Sequence, residues 1–406
     1  MTGQNDWGPP IPAPPGPTSR LRRPRAGAIA RRRGAPAPEI LFAALLVAAC
    51  SSGPPVPSPA SPPVSTPRPA LSAAASPSPG TGTTPGALPT EDPPTAAPSP
   101  TPIPIPASSG NSVCRAEIGD PTRNPITSGL TPQGYFDAYN PIDVDEPHNG
   151  DPMKVWNSPK VSVSDSGVVR ALVADRLWRH PVAAAQFGLA SLRMFDETGD
   201  PIWVSRAATA LSDSLAAADP SGRLPYSFPW RGADGVLQEL PAYSAMAQGQ
   251  SLSLAIRLFQ LTGDEGWRRT ADSLFETIAE VGTANPAVTF VDTDGYLWFE
   301  EFSIQCPGRV WNGHVVVVFA MADYHQLSGD RRALELFDAG ATTALAYMPF
   351  VRRAGEASMY DVSHAHAASL AYHHFMIREL RFLGSMTGSP EFDHWANLMA
   401  DDAPSP

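Results

Sequence analysis

One turn recurs four times in the second half of this 406-residue chain. It reads "ETGDPIW", "LTGDEGW", "LSGDRRA" and "MTGSPEF", with its Thr or Ser at positions 198, 262, 328 and 387. Each copy follows an apolar run rich in Ala and Leu and precedes an amphipathic one. Glycine is the common left-handed stop of a helix, and Asp or Ser is a preferred N-cap of the next. The pattern therefore predicts helical hairpins repeated roughly every 60 residues.

The two helices of each predicted hairpin differ in polarity. The first is the more apolar, so we expect it in an inner layer, with its amphipathic partner outside. Stacked hairpins of this kind form an (α/α) toroid, which four pairs leave incomplete. We therefore predict an all-α fold over residues 168–400, an incomplete (α/α) toroid of about four helical hairpins.

The first 112 residues predict export and tethering. Residues 1–50 carry seven arginines and end in the apolar run "ILFAALLVAA" before Cys50. This is a lipoprotein-type signal peptide, too short to span a bilayer. Residues 51–112 are almost wholly Pro, Ser, Ala, Thr and Gly, which predicts a disordered tether. We expect a lipid on Cys50 and an extracellular, membrane-anchored protein, with simple secretion as the alternative.

Two further cysteines, Cys114 and Cys306, are expected outside the cytoplasm, where such a pair is more often bridged than free. A disulfide between them would join the extended segment predicted at residues 113–167 to the helical domain. The chain carries 40 acidic against 29 basic residues, which argues against nucleic acid as a partner. Membrane contact is expected through the lipid anchor only, and a homodimer stays open.

The stretch "MYDVSHAHAASLAYHH", residues 359–374, contains four histidines. His364 and His366 are two apart, and on a helix that spacing places side chains on different faces. We therefore predict no metal site here. Our interpretation is that His364 and His373 line a polar site, while His366 and His374 are structural or exposed.

Long connections at residues 219–242, 281–311 and 349–365 are predicted to lie on one rim of the toroid, opposite the recurring turns. They hold most of the aromatic and charged residues outside the helices. Aromatic rings beside carboxylates and hydroxyls suit a carbohydrate, whose C–H faces stack on rings and whose hydroxyls need directional partners. Long loops on one rim of a rigid scaffold are also where a site is usually built.

Several of these segments resemble one known family. "HPVAAAQFGL", "YSAMAQGQSLSLAIRLFQLTGD", "WFEEF", "VWNG", "MYDVSH" and "AYHHFMIREL" occur in this order. Together they resemble the C-terminal domain of the D-glucuronyl C5-epimerases of heparan sulfate and heparosan biosynthesis, over about residues 175–398. The family's N-terminal β-rich region has no counterpart, because residues 113–167 are too few for a sizeable β-barrel.

The resemblance implies removal and return of the C5 proton of a glucuronate unit in an acidic, uronate-containing polysaccharide, without a cofactor. Such chemistry needs a neutralised carboxylate, with an acid or base on each face of the sugar. Carried over by motif, Glu301 and Tyr372 are the expected acid and base groups, and Tyr360 is expected to hold the substrate carboxylate or to assist proton transfer. The expected substrate-binding residues are Tyr243, Gln248, Gln250, Trp298, Glu300, Arg309, Asn312, His364 and His373.

At two positions this chain departs from the family pattern. The family's Tyr after Glu-Glu is Phe302 here, and the Arg of its Tyr-Asp-Leu-Arg-His segment is Ser363. Both changes remove groups expected to hold the uronate carboxylate. Arg309, or the pair Arg352 and Arg353, is the expected substitute.

Two other classes stay open. One is a toroid glycoside hydrolase or lyase that uses Asp292 or Asp294 with Glu300 or Glu301. The other is a non-catalytic glycan-binding lipoprotein.

Overall fold

The computed structural model describes residues 118–132, 160–229, 237–302, 304 and 307–402. Within these ranges no helix is both long and apolar enough to cross a membrane. The predicted signal peptide, the tether, the lipid on Cys50 and the bridge between Cys114 and Cys306 all lie outside the described residues.

A small antiparallel sheet precedes the helices. Its strands β1 (Val161–Val163), β2 (Val169–Val173) and β3 (Arg176–Trp178) pair in chain order. Valines on one face of β1 and β2 are buried against Phe187 of the first helix. The expectation that helices begin at about residue 168 is therefore wrong, because these short apolar runs alternate with the period of two of a half-buried strand.

Eight longer helices follow as four hairpins within the described residues. The hairpins are α1 (Pro181–Thr198) with α2 (Ile202–Leu215), α3 (Ala245–Thr262) with α4 (Glu265–Ala279), α5 (Trp311–Ser328) with α6 (Arg331–Ala346), and α8 (Leu370–Thr387) with α9 (Pro390–Asp402). The one-turn helix α7 (Met348–Val351) follows α6. The predicted fold, an incomplete (α/α) toroid of four hairpins, is confirmed, with small rim sheets added to it.

The recurring turn has the same hydrogen bonds in all four copies. The hydroxyl of Thr198 donates to the carbonyl of Met194 and accepts from the backbone N–H of Asp200. Thr262, Ser328 and Thr387 repeat both bonds. The glycine after each hydroxyl residue has a φ of 68° to 71°, a left-handed conformation that costs glycine little. The turn thus ends one helix and sets the direction of the next.

The first helix of every hairpin forms the inner layer. Residues of α1, α3, α5 and α8 are mostly buried, and α1 contacts α3, α3 contacts α5, and α5 contacts α8. Each of these four helices is 18 residues long. Positions counted from their N-caps His180, Ser244, Val310 and Ser369 are therefore equivalent in space.

Two further hairpins of strand lie among the rim connections. β4 (Pro225–Tyr226) pairs with β5 (Ala242–Tyr243), and β6 (Thr289–Val291) pairs with β7 (Leu297–Phe299). All residues of β6 and β7 are buried. Glu300 and Glu301 follow β7 directly, so a rigid sheet carries both carboxyl groups to the start of the inner helices.

Candidate active site at the rim of the inner helices

Two segments far apart in sequence form the floor of the site. An isolated antiparallel bridge joins Val310 to Asp361. Around it, Trp311 N–H donates to the carbonyl of Tyr360, and Val362 N–H donates to the carbonyl of Arg309. These bonds bring the predicted motif residues of both segments beside Glu301.

The three predicted catalytic residues come together. The hydroxyl of Tyr360 lies 3.2 Å from Oε1 of Glu301 and donates to it. The rings of Tyr360 and Tyr372 meet edge to face, with centroids 5.3 Å apart. Glu301 and Tyr372 are each 5% exposed. Tyr360 therefore links the carboxyl group to the second tyrosine in a site that is largely shielded from water.

Burial sets the protonation of this cluster. Burial, reinforced by the charge of Glu300, raises the pKa of Glu301 to about 8, although the hydrogen bond from Tyr360 opposes that rise. Burial and the nearby Glu301 also raise the pKa of Tyr360 well above its ordinary value. At neutral pH, Tyr360 is a proton donor and Glu301 is an acid close to its point of ionisation.

Glu301 packs directly on the inner helix α5. A Cβ atom on Gly313 would lie 2.4 Å from Oε2 of Glu301 and 2.9 Å from its Cβ. Oε2 has no hydrogen-bond partner among the described residues. The absence of a side chain at Gly313 thus leaves the space that the carboxyl group occupies.

Glu300 faces away from this cluster into the loop that follows it. Its carboxylate accepts from the backbone N–H groups of Phe302 and Arg309 at 3.0 Å each. Burial raises the pKa of Glu300 to about 7, and these N–H groups oppose the rise. The predicted substrate-binding role of Glu300 stays a prediction, since its oxygens already hold the loop. Phe302 packs with Met246 and Val310 in a small apolar cluster.

Arg309 lies where the family arginine is missing. Its Nε donates to Oγ of Ser363 at 2.9 Å, and its Nη1 lies 3.4 Å from the hydroxyl of Tyr347. Tyr347 in turn donates to Asp292 at 2.6 Å. Arg309 is 8% exposed and has a φ of 52°, so its backbone is held in the left-handed region, which is uncommon for a side chain of this size. Arg309 thus brings a guanidinium group to the position of Ser363.

The other two candidate arginines have different partners. Arg352 pairs with Asp402, with Nε 2.6 Å from Oδ2, and Arg353 pairs with Glu356. Of the three arginines proposed from the sequence, Arg309 is the one that reaches Ser363.

His373 belongs to a repeated structural device. Its Nδ1 accepts from the backbone N–H of Ser358 at 3.0 Å, so its proton is on Nε2, which lies 2.9 Å from the carbonyl of Met399. His314, four residues after its own N-cap like His373, makes the same pair of contacts with Phe299 and Gly340.

Gln248, at the same place in the second hairpin, binds both backbone groups of Leu224 at 3.1 Å. Three inner helices therefore use this position to hold a rim connection. The predicted contacts of Gln248 and His373 with a substrate stay predictions, because both polar ends already bind backbone.

Two other histidines of the stretch, His364 and His366, lie beside Asp361. Its carboxylate accepts from the backbone N–H of His364 and lies 2.6 Å from Nδ1 of His366. The two rings stack with centroids 5.9 Å apart, and both residues lie in the loop that precedes α8. Among the described residues, no group of three or more His, Cys, Asp or Glu side chains could hold a metal ion.

The other predicted substrate-binding residues are dispersed. The hydroxyl of Tyr243 donates to Asp219 at 3.1 Å, and Nε1 of the fully buried Trp298 donates to Asp292 at 3.1 Å. Both amide atoms of Gln250 and Oδ1 of Asn312 are buried without a hydrogen-bond partner among the described residues. Gln250 and Asn312 keep unused polar atoms on the inner helices, whereas Tyr243 and Trp298 have theirs engaged.

Sequence reasoning missed one acidic residue near the site. Glu379 lies on the inner helix α8, is 4% exposed, and has no hydrogen-bond partner for either carboxyl oxygen among the described residues. Burial raises its pKa well above the ordinary value, and the charge of Glu301 adds to the rise. A signal was present, because Glu379 follows Tyr372 by seven residues and thus shares its helix face.

These features define a helical-hairpin toroid with a buried site of carboxyl groups and tyrosines at one rim. Residues 218–400 match the family described as D-glucuronyl C5-epimerase C-terminus. The resemblance predicted from the sequence is therefore confirmed over this segment.

Other similarities are more distant. An uncharacterized protein of Methanocaldococcus jannaschii is 25% identical over 160 residues, which are 37% of this chain and 51% of that protein. The chain thus spans about half the length of this curated relative.

Among solved structures, a cellobiose 2-epimerase from Bacillus thermoamylovorans B4167 aligns with a TM-score of 0.42 and 10% identity, over 55% of this chain and 59% of that one. A D-mannose isomerase aligns with a TM-score of 0.40 and 12% identity, over 60% and 61%. An unsaturated glucuronyl hydrolase from Streptococcus agalactiae aligns with a TM-score of 0.36 and 10% identity, over 54% and 56%.

Proposed function

We propose that this protein is a uronate C5-epimerase that acts on glucuronate units of a polysaccharide. The family match over residues 218–400 supports a carbohydrate-active, epimerase-like function. The observation that carries the specific reaction is the hydrogen bond between Tyr360 and Glu301, with the ring of Tyr372 beside it. This arrangement places candidate acid and base groups close together in a buried site.

The reaction needs a base that is stronger than an ordinary carboxylate. The C5 hydrogen is weakly acidic, because the electron pair it leaves must spread into a carboxylate that is already negative. A carboxylate with a pKa of about 8 takes such a proton more readily than one with an ordinary pKa. In the proposed mechanism Glu301 removes the C5 proton, and Tyr372 donates a proton from its hydroxyl to the opposite face. The reverse direction exchanges these roles.

Tyr360 is proposed to control the proton on Glu301. Its hydroxyl donates to Oε1, which stabilises the carboxylate form against burial. Oε2 has no such donor among the described residues and packs against Gly313 of α5. Tyr360 thus holds one oxygen of the carboxyl group in place.

Arg309 is proposed to bind the uronate carboxylate beside Ser363. The enolate-like intermediate carries two negative charges on that group, so a fixed cation stabilises it more than the ground state. A guanidinium group suits this task because its fork matches the two oxygens of a carboxylate. This assignment compensates for the serine at position 363.

The two competing classes have less support. Asp292, one of the two aspartates expected to act in a hydrolase, accepts from the side chains of Trp298 and Tyr347 and from two backbone N–H groups. A carboxylate so fully engaged is poorly placed to transfer protons to a glycosidic bond. A glycan-binding protein without activity would not require the raised pKa of Glu301.

Proton NMR of heparosan incubated in D2O with the full-length protein tests the proposal. Deuterium at C5 of the uronate, without new reducing ends, is the expected result. Reducing ends would indicate cleavage, and binding without deuterium would indicate a lectin-like role.

A further inference from the structure

Glu379 differs from the other buried acidic groups of the described residues, because both of its carboxyl oxygens lack a hydrogen-bond partner. Asp323 accepts from Arg257 and from the hydroxyl of Ser253 at 2.8 Å, and Asp361 accepts from His364 and His366. Buried polar atoms in native proteins nearly always have such partners. Neither oxygen of Glu379 has one among the described residues.

Packing alone does not account for this carboxyl group. The neighbouring buried residues of α8 are Met376, Leu380 and Leu383, so an apolar side chain would suit the position. Burying a polar group without a hydrogen bond is destabilising. The position thus carries a cost that a partner from outside the chain would remove.

The position of Glu379 points toward the candidate site. Tyr372 and Glu379 are seven residues apart on α8, which places them about two turns apart on one face of the helix. Glu301 is near enough for its charge to disfavour the ionisation of Glu379, while the adjacent Arg378 favours it. Tyr372 thus shares a helix face with Glu379, and the charge of Glu301 acts on it.

We propose that Glu379 is a further substrate-binding residue, whose carboxyl group hydrogen-bonds a hydroxyl group of the bound sugar. A protonated carboxylic acid offers one O–H donor and an acceptor oxygen, which match the acceptor and donor of one hydroxyl group. A neutral group also avoids repulsion with the uronate carboxylate. Gln250, buried with both amide atoms unpartnered among the described residues, offers the same pair of functions on α3. The inference rests on the proposed function for the nature of the sugar.

The test compares four full-length proteins, namely the wild type, Glu379→Leu, Glu379→Gln and the control Asp323→Asn. Binding of a heparosan oligosaccharide is measured by calorimetry, and thermal unfolding is measured separately. Glu379→Leu should weaken binding about tenfold, the loss expected for one buried hydrogen bond, without a fall in Tm. Glu379→Gln keeps a donor and an acceptor, so its affinity should stay within about threefold.

Asp323→Asn removes a buried carboxylate that Arg257 already pairs with, so it should lower Tm and leave binding unchanged. Unchanged binding by Glu379→Leu, or a fall in its Tm as large as that of the control, would overturn the proposal. Deuterium exchange at C5 is followed in the same samples. Binding without exchange would reject the epimerase reaction while the role of Glu379 is still decided by affinity, and no binding by the wild type would reject both.

Discussion

Oε1 of Glu301 accepts a hydrogen bond from the hydroxyl of Tyr360, although 59 residues separate the two in the chain. The contact forms because Glu301 lies two residues after β7, which ends at Phe299, and because the segment around Tyr360 pairs with the start of α5. It joins a carboxyl group with a raised pKa to a tyrosine whose ring touches Tyr372. The proposed acid and base chemistry depends on this contact.

Replacing Tyr360 with Phe should move the pH profile of C5 exchange. The hydroxyl of Tyr360 lowers the pKa of Glu301, so its loss raises that pKa further and shifts the rising limb of the profile to higher pH. A rate loss on the order of 100-fold at pH 7 is typical for a damaged general acid or base. Tyr324→Phe, which removes a hydroxyl bound to Asp272 on the far side of α5, is the control. A profile identical to that of the wild type would contradict the assigned role.

Stability should fall as pH rises from about 5 to 8. The pKa of Glu300 is raised to about 7 and that of Glu301 to about 8 in the folded protein. Groups with raised folded pKa values contribute stability that is complete below the unfolded value near 4.5 and is lost as pH rises through the folded pKa. Each contributes a slope of up to ~1.4 kcal/mol per pH unit. Urea unfolding across this range should show a flatter curve for Glu301→Gln, and parallel curves would contradict the prediction.

Arg309→Gln should weaken the binding of uronate oligosaccharides by about 10- to 100-fold, the loss expected for a charge-assisted hydrogen bond. Binding of a neutral glycan of the same length should change little. The matched control is Arg352→Gln, because Arg352 is paired with Asp402 and should not contribute. Equal affinity of the wild type and Arg309→Gln for the uronate would show that Arg309 does not bind the uronate carboxylate.

His373→Ala should destabilise the fold by ~2–3 kcal/mol, because it leaves the buried N–H of Ser358 and the carbonyl of Met399 without a partner. His373→Gln should cost less, since Gln248 serves the equivalent position of the second hairpin. Urea unfolding measures both. Equal losses for the two variants would contradict the structural role of His373.

A chelator should change neither the stability nor the activity of the wild type.

The helical scaffold was predictable from the sequence because the signals that end one helix and begin the next are local. Thr198, Gly199 and Asp200 specify a helix end by contacts within a few residues, and the three other copies repeat them. The strands β1 and β2 are only three and five residues long, so the alternation of their valines is a weak signal beside the long apolar runs of the helices.

The site was only partly predictable because its contacts are long-range. The motif match located Glu301, Tyr360 and Tyr372, but not that Arg309 would bind Ser363 across 54 residues. The two backbone partners of His373 were not predictable, because they come from segments that share no motif with it. Glu379 was missed because the burial of one carboxyl group on a helix depends on the packing of the neighbouring helices, which the sequence does not show.

Deuterium incorporation at C5 of heparosan, compared between the wild type and Glu301→Gln in D2O, tests the central claim most directly. The wild type should label the C5 position, and the variant should bind the polymer equally well but lose labelling by about 100-fold or more, as expected when a general base is removed. Equal labelling by the two proteins, or no labelling by the wild type on a polymer that it binds, would contradict the assignment of Glu301 as the group that moves the C5 proton.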